Sequence, residues 1–238
     1  IKIMFMRNMP LSTFKKITGQ LIVMLCLFSA VSKAQITVNG TGSYATITAA
    51  IAAASAGDVI QVPAGIYNEN PDINKSLKLR GAQWGNCALS RTGAETVISC
   101  PNGIGVNASN VTIDGFTIQD QDGANAALAP GFGFAVYMVP PNTGTQLLNN
   151  IIRNNTLGTG LSNAGSFPAQ VNINCNWYDA NNTPGPIFRE AIYADSDISG
   201  GSVSNVFIND NKFTNHTGGV GIDFEMTTAG TRAESITM

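Results

Sequence analysis

Four residues in the last quarter of the chain have types and spacings suited to chemistry: Tyr193 with Asp195, and Asp223 with Glu225. Each pair is separated by one residue, so in an extended strand both members project from the same side. An aromatic ring stacks on the face of a sugar, and carboxylates bond its hydroxyls or hold a calcium ion with hard oxygen ligands. Two neighbouring carboxylates also raise one another's pKa, as acid–base catalysis requires. Tyr137 extends the group, and Arg189, at the head of the Tyr193 segment, is better placed than Arg153 to serve as a base or bind a carboxylate. A second group, Asp120-Gln121-Asp122-Gly123-Ala124-Asn125, resembles the opening of a calcium loop but lacks the later bidentate acid. Against these stand simpler readings: a solvated strand face for the first group and a turn with solvated acids for the second. His216, the single histidine, reads as a turn residue.

A repeated phrase decides which of these residues share a face. Gly, any residue, Gly or Ala, then an aliphatic recurs as Gly103-Ile104-Gly105-Val106, Gly133-Phe134-Ala135-Val136, Gly158-Thr159-Gly160-Leu161 and Gly219-Val220-Gly221-Ile222. Arg189-Glu190-Ala191-Ile192 is a variant, and the aliphatic members lie 30, 25, 31 and 30 residues apart. A second phrase falls between them: Leu147/Asn150/Ile152, Ile173/Asn176/Tyr178 and Ile208/Asn211/Phe213, with Ile113/Phe116/Ile118 as a variant. Such periodicity means a stacked architecture whose repeats bury their apolar sides against their neighbours. Val106, Val136, Leu161, Ile192 and Ile222 are expected to point inward as one ladder. Ile104, Phe134, Thr159 and Val220 should point inward too, with Glu190 just ahead of its strand. The leading Gly permits a sharp corner, and Asn150, Asn176 and Asn211 tolerate left-handed backbone and can form a hydrogen-bonded ladder. The outward columns then read Asn107, Tyr137, Ser162, Tyr193, Asp223 and Ser109, Val139, Ala164, Asp195, Glu225.

The rest of the chain sets the context. Residues 1–34 read as a secretory signal peptide: Arg7, Lys15 and Lys16 precede an apolar run from Leu21 to Val31, and Ser32 and Ala34 form a small-residue cleavage site. The run is short for a membrane span, and Leu25 before Cys26 disfavours lipoprotein processing. The whole chain has 13 basic and 15 acidic residues, five of the basic ones in the leader, which leaves a net charge of −7 beyond it. That balance excludes nucleic acid as a partner and suits a neutral glycan or a metal-bridged acidic one. The sequence calls for no particular cofactor; calcium is the candidate that the acids suggest. In an oxidising compartment Cys87 and Cys100 can close a short loop with Cys175 alone; the alternative is three free, buried thiols.

The elements required are one Ala-rich helix, Thr46 to Ala56, ended by Gly57-Asp58, and then short strands separated by Gly, Asn and Pro. Here Gly42-Ser43-Tyr44-Ala45-Thr46-Ile47, Asp58-Val59-Ile60-Gln61-Val62-Pro63-Ala64-Gly65-Ile66-Tyr67 and Leu77-Lys78-Leu79-Arg80-Gly81-Ala82 resemble the start of right-handed parallel β-helix proteins of the pectin-lyase-like superfamily. The resemblance covers residues 36–238. It implies an all-β, single-stranded right-handed parallel β-helix (a β solenoid) with a short N-terminal capping α-helix. The family's enzymes act on acidic polysaccharides with Asp residues, an Arg base, or Asn-Thr-Asp, Asp-Asp and Gly-His-Gly phrases. None of those phrases occurs here: Asn182-Thr183-Pro184 and Asn142-Thr143-Gly144 lack the acid, and His216 follows Asn215. The expectation is a secreted or cell-surface monomer whose residues 35–238 bind extracellular polysaccharide. The alternative is a polysaccharide-degrading enzyme with some catalytic residues outside this sequence, since a further strand is beginning at Thr231–Met238 and the domain reads as incomplete there.

Overall fold

The structure is a computed structural model that describes residues 35–122, 133–138, 143–161, 170–181, 190–195, 203–225 and 233–238. The signal-peptide expectation for residues 1–34 lies outside the described residues. The chain opens with β1 (Ile36–Val38), β2 (Thr41–Tyr44) and the helix α1 (Ile47–Ala53). The first coil is β3 (Val59–Gln61), β4 (Gly65–Asn68) and β5 (Asp72–Ile73), and the second β6 (Lys78–Arg80), β7 (Thr96–Ser99) and β8 (Ile104–Val106). The third holds β9 (Thr112–Asp114), β10 (Thr117–Gln119) and β11 (Phe134–Met138), and the fourth β12 (Gln146–Leu148), β13 (Ile151–Arg153) and β14 (Leu157–Leu161). The fifth is β15 (Val171–Asn174), β16 (Trp177–Asp179) and β17 (Ile192–Asp195). The sixth is β18 (Val203–Asn209), β19 (Lys212–Thr214) and β20 (Ile222–Glu225), and β21 (Ala233–Thr237) follows.

Strands pair with every third strand in sequence, giving three stacked sheets. Sheet A runs β2-β1-β3-β6-β9-β12-β15-β18-β21, sheet B β4-β7-β10-β13-β16-β19 and sheet C β5-β8-β11-β14-β17-β20. All pairs are parallel except β1 with β2 and with β3. This all-β, solenoid-like arrangement agrees with the repeat reading.

The stacked ladder differs from the expected one. In sheet C the register aligns Ile104, Val136, Thr159, Ile192 and Ile222 in one inward column and Val106, Met138, Leu161, Ala194 and Phe224 in the next. The Gly-x-Gly phrase had mixed the two, placing Val106 and Leu161 two residues out. A slip of one residue would expose every apolar side chain, but a slip of two keeps them all inward, so the apolar pattern does not detect it. Thr159 therefore occupies the core column, where its hydroxyl lies 3.0 Å from that of Tyr178. Gly103 is a leading glycine that takes positive φ, at 77°. Val220, expected inside, is exposed.

The corners are built by asparagine. Asn150 and Asn176 donate from Nδ2 to Oδ1 of the next rung's Asn176 (3.2 Å) and Asn211 (3.0 Å). Each also donates to the carbonyl of the rung behind, Ile113 and Leu147. The left-handed backbone belongs to the residue before each one: Gly115, Asn149, Cys175 and Asp210. A second corner repeats this with Asn155 and Asn181, joined at 2.8 Å, behind Asp120, Asn154 and Ala180. His216 follows the positive-φ residue Asn215 and points Nε2 at the Tyr178 carbonyl (3.4 Å), the contact that Asn181 makes with Ile152 one rung back. It is thus the next member of the ladder.

Helix α1 is shorter than expected and is clamped at both ends. Thr46 caps its first turn by accepting from Ala49 N, and the Glu69 carboxylate accepts from Ile47 N and Thr48 N at 2.9 Å. At the other end Lys75 Nζ donates to the carbonyls of Ile51, Ala52 and Ala54. An anion at the N-terminus and a cation at the C-terminus both match the helix dipole, which offsets the marginal stability of a seven-residue helix.

Residues 81–95 form a strap across the corner between sheets A and B. Arg91 pairs with Glu95 at 2.7 Å and also donates to the Asn149 and Phe116 carbonyls; its side chain is 1% exposed. Burial pulls the Arg91 pKa down, while Glu95 and Asp114 oppose that by favouring the charged form. Cys87 in the strap is bonded to Cys175, with Cα atoms 5.1 Å apart. The expected alternatives, Cys87 with Cys100 or three free thiols, are both corrected. Cys175 takes the left-handed corner position, which turns it toward the strap, while Cys100 is free and buried. Closing an 88-residue separation constrains the unfolded chain by about 4–5 kcal/mol in the chain-entropy picture.

Candidate functional site on sheet C

Each outward residue of sheet C is fixed by the pairing of its strand. Tyr193 stands beside Asp223, and Asp195 beside Glu225. Tyr193 also pairs with Gly160, which pairs with Tyr137, so the two tyrosines are two rungs apart. The pairing thus places Tyr137, Tyr193, Asp195, Asp223 and Glu225 on one face. Its outward column is corrected at two rungs, where Gly105 and Gly160 stand in place of Asn107 and Ser162.

The tyrosines do not form an open platform for a sugar. Tyr137 is 7% exposed and Tyr193 1%. Phe134, expected inside, is turned onto the outer face at the start of β11 and lies against both rings. Its ring stacks on Tyr137 (centroids 5.5 Å, planes 10° apart) and on Tyr193 (6.3 Å, 23°). It occupies the space over Gly160, where a Cβ would meet the ring at 2.8 Å. Three rings therefore run along two rungs as one closed stack, with Phe134 itself 3% exposed. What the face still presents is acidic. Tyr193 donates its phenolic hydrogen to Glu225 Oε2 (3.3 Å), Glu225 is exposed and Asp223 half-buried. One rung series away Asn107 bonds Asp72. Arg189 and the Asp195 side chain lie outside what the structure describes.

Of the two calcium candidates, Asp120 is hydrogen-bonded at its own corner. Asp120 occupies a left-handed corner (φ 69°), and its Oδ2 accepts from Ser99 Oγ and Gln119 Nε2, both at 2.8 Å. Asp122 is exposed. Among the described residues no three His, Cys, Asp or Glu side chains are grouped to hold a metal ion. A cavity of about 360 Å³ opens among strap residues including Gln83, Asn86, Cys87, Ser90 and Arg91.

The outer face of sheet B passed unnoticed in the sequence, although the second repeat phrase locates it. One outward column is Val97, Thr117, Ile151, Trp177 and Lys212, and the other Ser99, Gln119, Arg153, Asp179 and Thr214. Arg153 Nε and Nη2 donate to Gln119 Oε1 at 3.1 and 3.0 Å. Trp177 Nε1 donates to Thr214 Oγ1, which donates to Asp179 Oδ1, each at 2.7 Å. Lys212 Nζ lies 5.0 Å from the Trp177 ring centroid.

No helix among the described residues is long and apolar enough to cross a membrane. Compared with models of known protein families, with characterised proteins and with solved structures, the chain matches none.

Proposed function

We propose that the chain is an exported protein, a right-handed parallel β-helix of the pectin-lyase-like kind, that binds extracellular polysaccharide. Right-handedness follows from the strong preference of parallel crossovers for that hand. Export is supported by the leader-like first 34 residues and by a disulfide that favours an oxidising compartment. The observation carrying the binding reading is the exposed Glu225 with the half-buried Asp223 two residues before it on β20, in register with Asp195 and Tyr193, which sets two carboxylate acceptors on one face. Binding is favoured over catalysis because the described outward residues of that face include no Arg or Lys to complete an acid–base set. Titration of the protein with a panel of neutral and acidic glycans, with and without calcium, tests this. The expected result is saturable binding without release of reducing or unsaturated sugars, weakened in an Asp223→Asn/Glu225→Gln variant. Sugar release would instead establish the enzymatic alternative, and no binding across the panel would end the polysaccharide reading.

A further inference from the structure

The strap folds back on itself through consecutive turns: Asn86 N donates to the Gln83 carbonyl, and Ser90 N and Arg91 N both donate to that of Cys87. The hollow they enclose is the cavity of about 360 Å³, large enough to admit a small molecule. Its lining residues all lie in the strap, and Cys87 is one of them. The Arg91 guanidinium is spent on Glu95 and two carbonyls, and the Gln83 amide nitrogen on the carbonyls of Thr92 and Ala94. What the walls offer a guest is therefore the hydroxyls of Ser90 and Thr92 and the amide of Asn86 rather than charge. We propose that this cavity is a modification site: it admits a small polar thiol, of amino-acid to tripeptide size, and presents it to the Cys87 sulfur of the Cys87–Cys175 disulfide.

In thiol–disulfide exchange a thiolate attacks one sulfur along the S–S axis, and the other sulfur leaves as thiolate. At Cys87 the approach is from the strap side, where the cavity lies. At Cys175 it is from the corner, where the next residue, Asn176, is fully buried and bonded to Leu147 and Asn211. A new bond therefore forms between the thiol and Cys87 Sγ while the bond to Cys175 Sγ breaks. Cys175 keeps the electron pair and takes a proton from water, so no oxidant or reductant is consumed. Both bonded cysteines are half-buried, whereas Cys100 is sealed in the core and does not compete. The strap stays seated afterwards, through Gly85 N on Asp114 (3.0 Å), Ala82 N on Thr96 (2.8 Å) and Arg91 on the Phe116 carbonyl (2.9 Å). Only its covalent tie to the fifth coil is lost. The bond from Ala88 N to the Cys175 carbonyl (3.1 Å) keeps Cys175 close enough to expel the thiol again, which makes the modification reversible. The inference is independent of the polysaccharide reading.

The test incubates the folded full chain with excess N-acetylcysteine at pH 8, quenches with acid, caps free thiols with N-ethylmaleimide and maps peptides by mass spectrometry without reduction. The expected product carries N-acetylcysteine on Cys87 and maleimide on Cys175, at least about tenfold over the reverse arrangement, with Cys100 unlabelled. Ser90→Phe, which fills the cavity from an exposed turn position, is expected to slow exchange about tenfold, and Ser90→Ala to change it by less than about twofold. Circular dichroism checks that each variant is folded; should Ser90→Phe fail to fold, the partition between the two sulfurs in the parent decides alone. An adduct on Cys175 in equal or greater yield, exchange only in denaturant, or an unslowed folded Ser90→Phe overturns the assignment. Equal rates per thiolate for N-acetylcysteine and ethanethiol overturn the choice of a polar thiol.

Discussion

The outer faces of sheets B and C obey the same strand alternation and reach opposite ends. Sheet C turns aromatic rings outward and then closes them: Phe134, Tyr137 and Tyr193 are all nearly inaccessible. Sheet B turns out a Trp, an Arg and a Lys and leaves them reachable. On sheet C the Phe134 ring lies over Gly160 against Tyr137 and Tyr193, whereas on sheet B Trp177 meets the Lys212 ammonium and bonds Thr214.

The largest effect should come from breaking the closed face. Phe134→Ala removes the middle ring and opens a cavity over Gly160 between two tyrosines. A loss of about 3–4 kcal/mol is expected, read by denaturant unfolding. Gly160→Ala should cost about 1–3 kcal/mol by forcing the ring aside, and combining it with Phe134→Ala should cost less than the two separately, since the clash then has no partner. A loss under about 1 kcal/mol for Phe134→Ala would mean that the stack is merely surface.

Legibility in the sequence divides along physical lines. The stacked architecture and the asparagine ladder were readable because an unpaired buried amide is costly and apolar alternation is strict. Which rungs align was not, because Ile104 and Val106 both face inward and either satisfies the pattern. Tyr137, Tyr193, Asp223 and Glu225 were placed on one face correctly, since a two-residue slip preserves sidedness. The burial of the two tyrosines was not readable, because the ring stacked on them, Phe134, leaves its strand's alternation for the space Gly160 leaves open. Cys175 was misjudged for a related reason: its strand position suggested burial, but the corner after that strand turns it outward to Cys87.

The inner side of sheet B offers a sharper test that only its outer side is open. Cys100 follows β7 and is packed in the core, and burial pushes its thiol pKa up to about 12, with Asp120 adding to the rise. The unfolded thiol ionises near its ordinary value of about 8.5. Between the two values the unfolded state has lost a proton that the folded state keeps, so stability falls as pH rises, by about 1.4 kcal/mol per unit. Below the unfolded value the contribution is constant. Cys100→Ala should flatten the alkaline limb of the pH–stability curve, and the parent thiol should resist alkylation at pH 8 until the chain unfolds. An unchanged alkaline limb in the variant, or rapid alkylation of the folded protein, would show the interior of sheet B to be accessible.

The smallest effects belong to the open face itself. Trp177→Ala breaks the bond to Thr214 and the contact with Lys212, and about 1–2 kcal/mol is expected for one half-buried ring with one hydrogen bond. Arg153→Gln should change stability by less than about 0.5 kcal/mol, because the guanidinium is exposed and its only partner is the neutral Gln119. That insensitivity is what separates the faces: on sheet C the outward rings hold the fold, and on sheet B the exposed Arg153 can be exchanged with little loss to it. A loss above about 1 kcal/mol in Arg153→Gln would place that side chain in a structural network and end the contrast with sheet C.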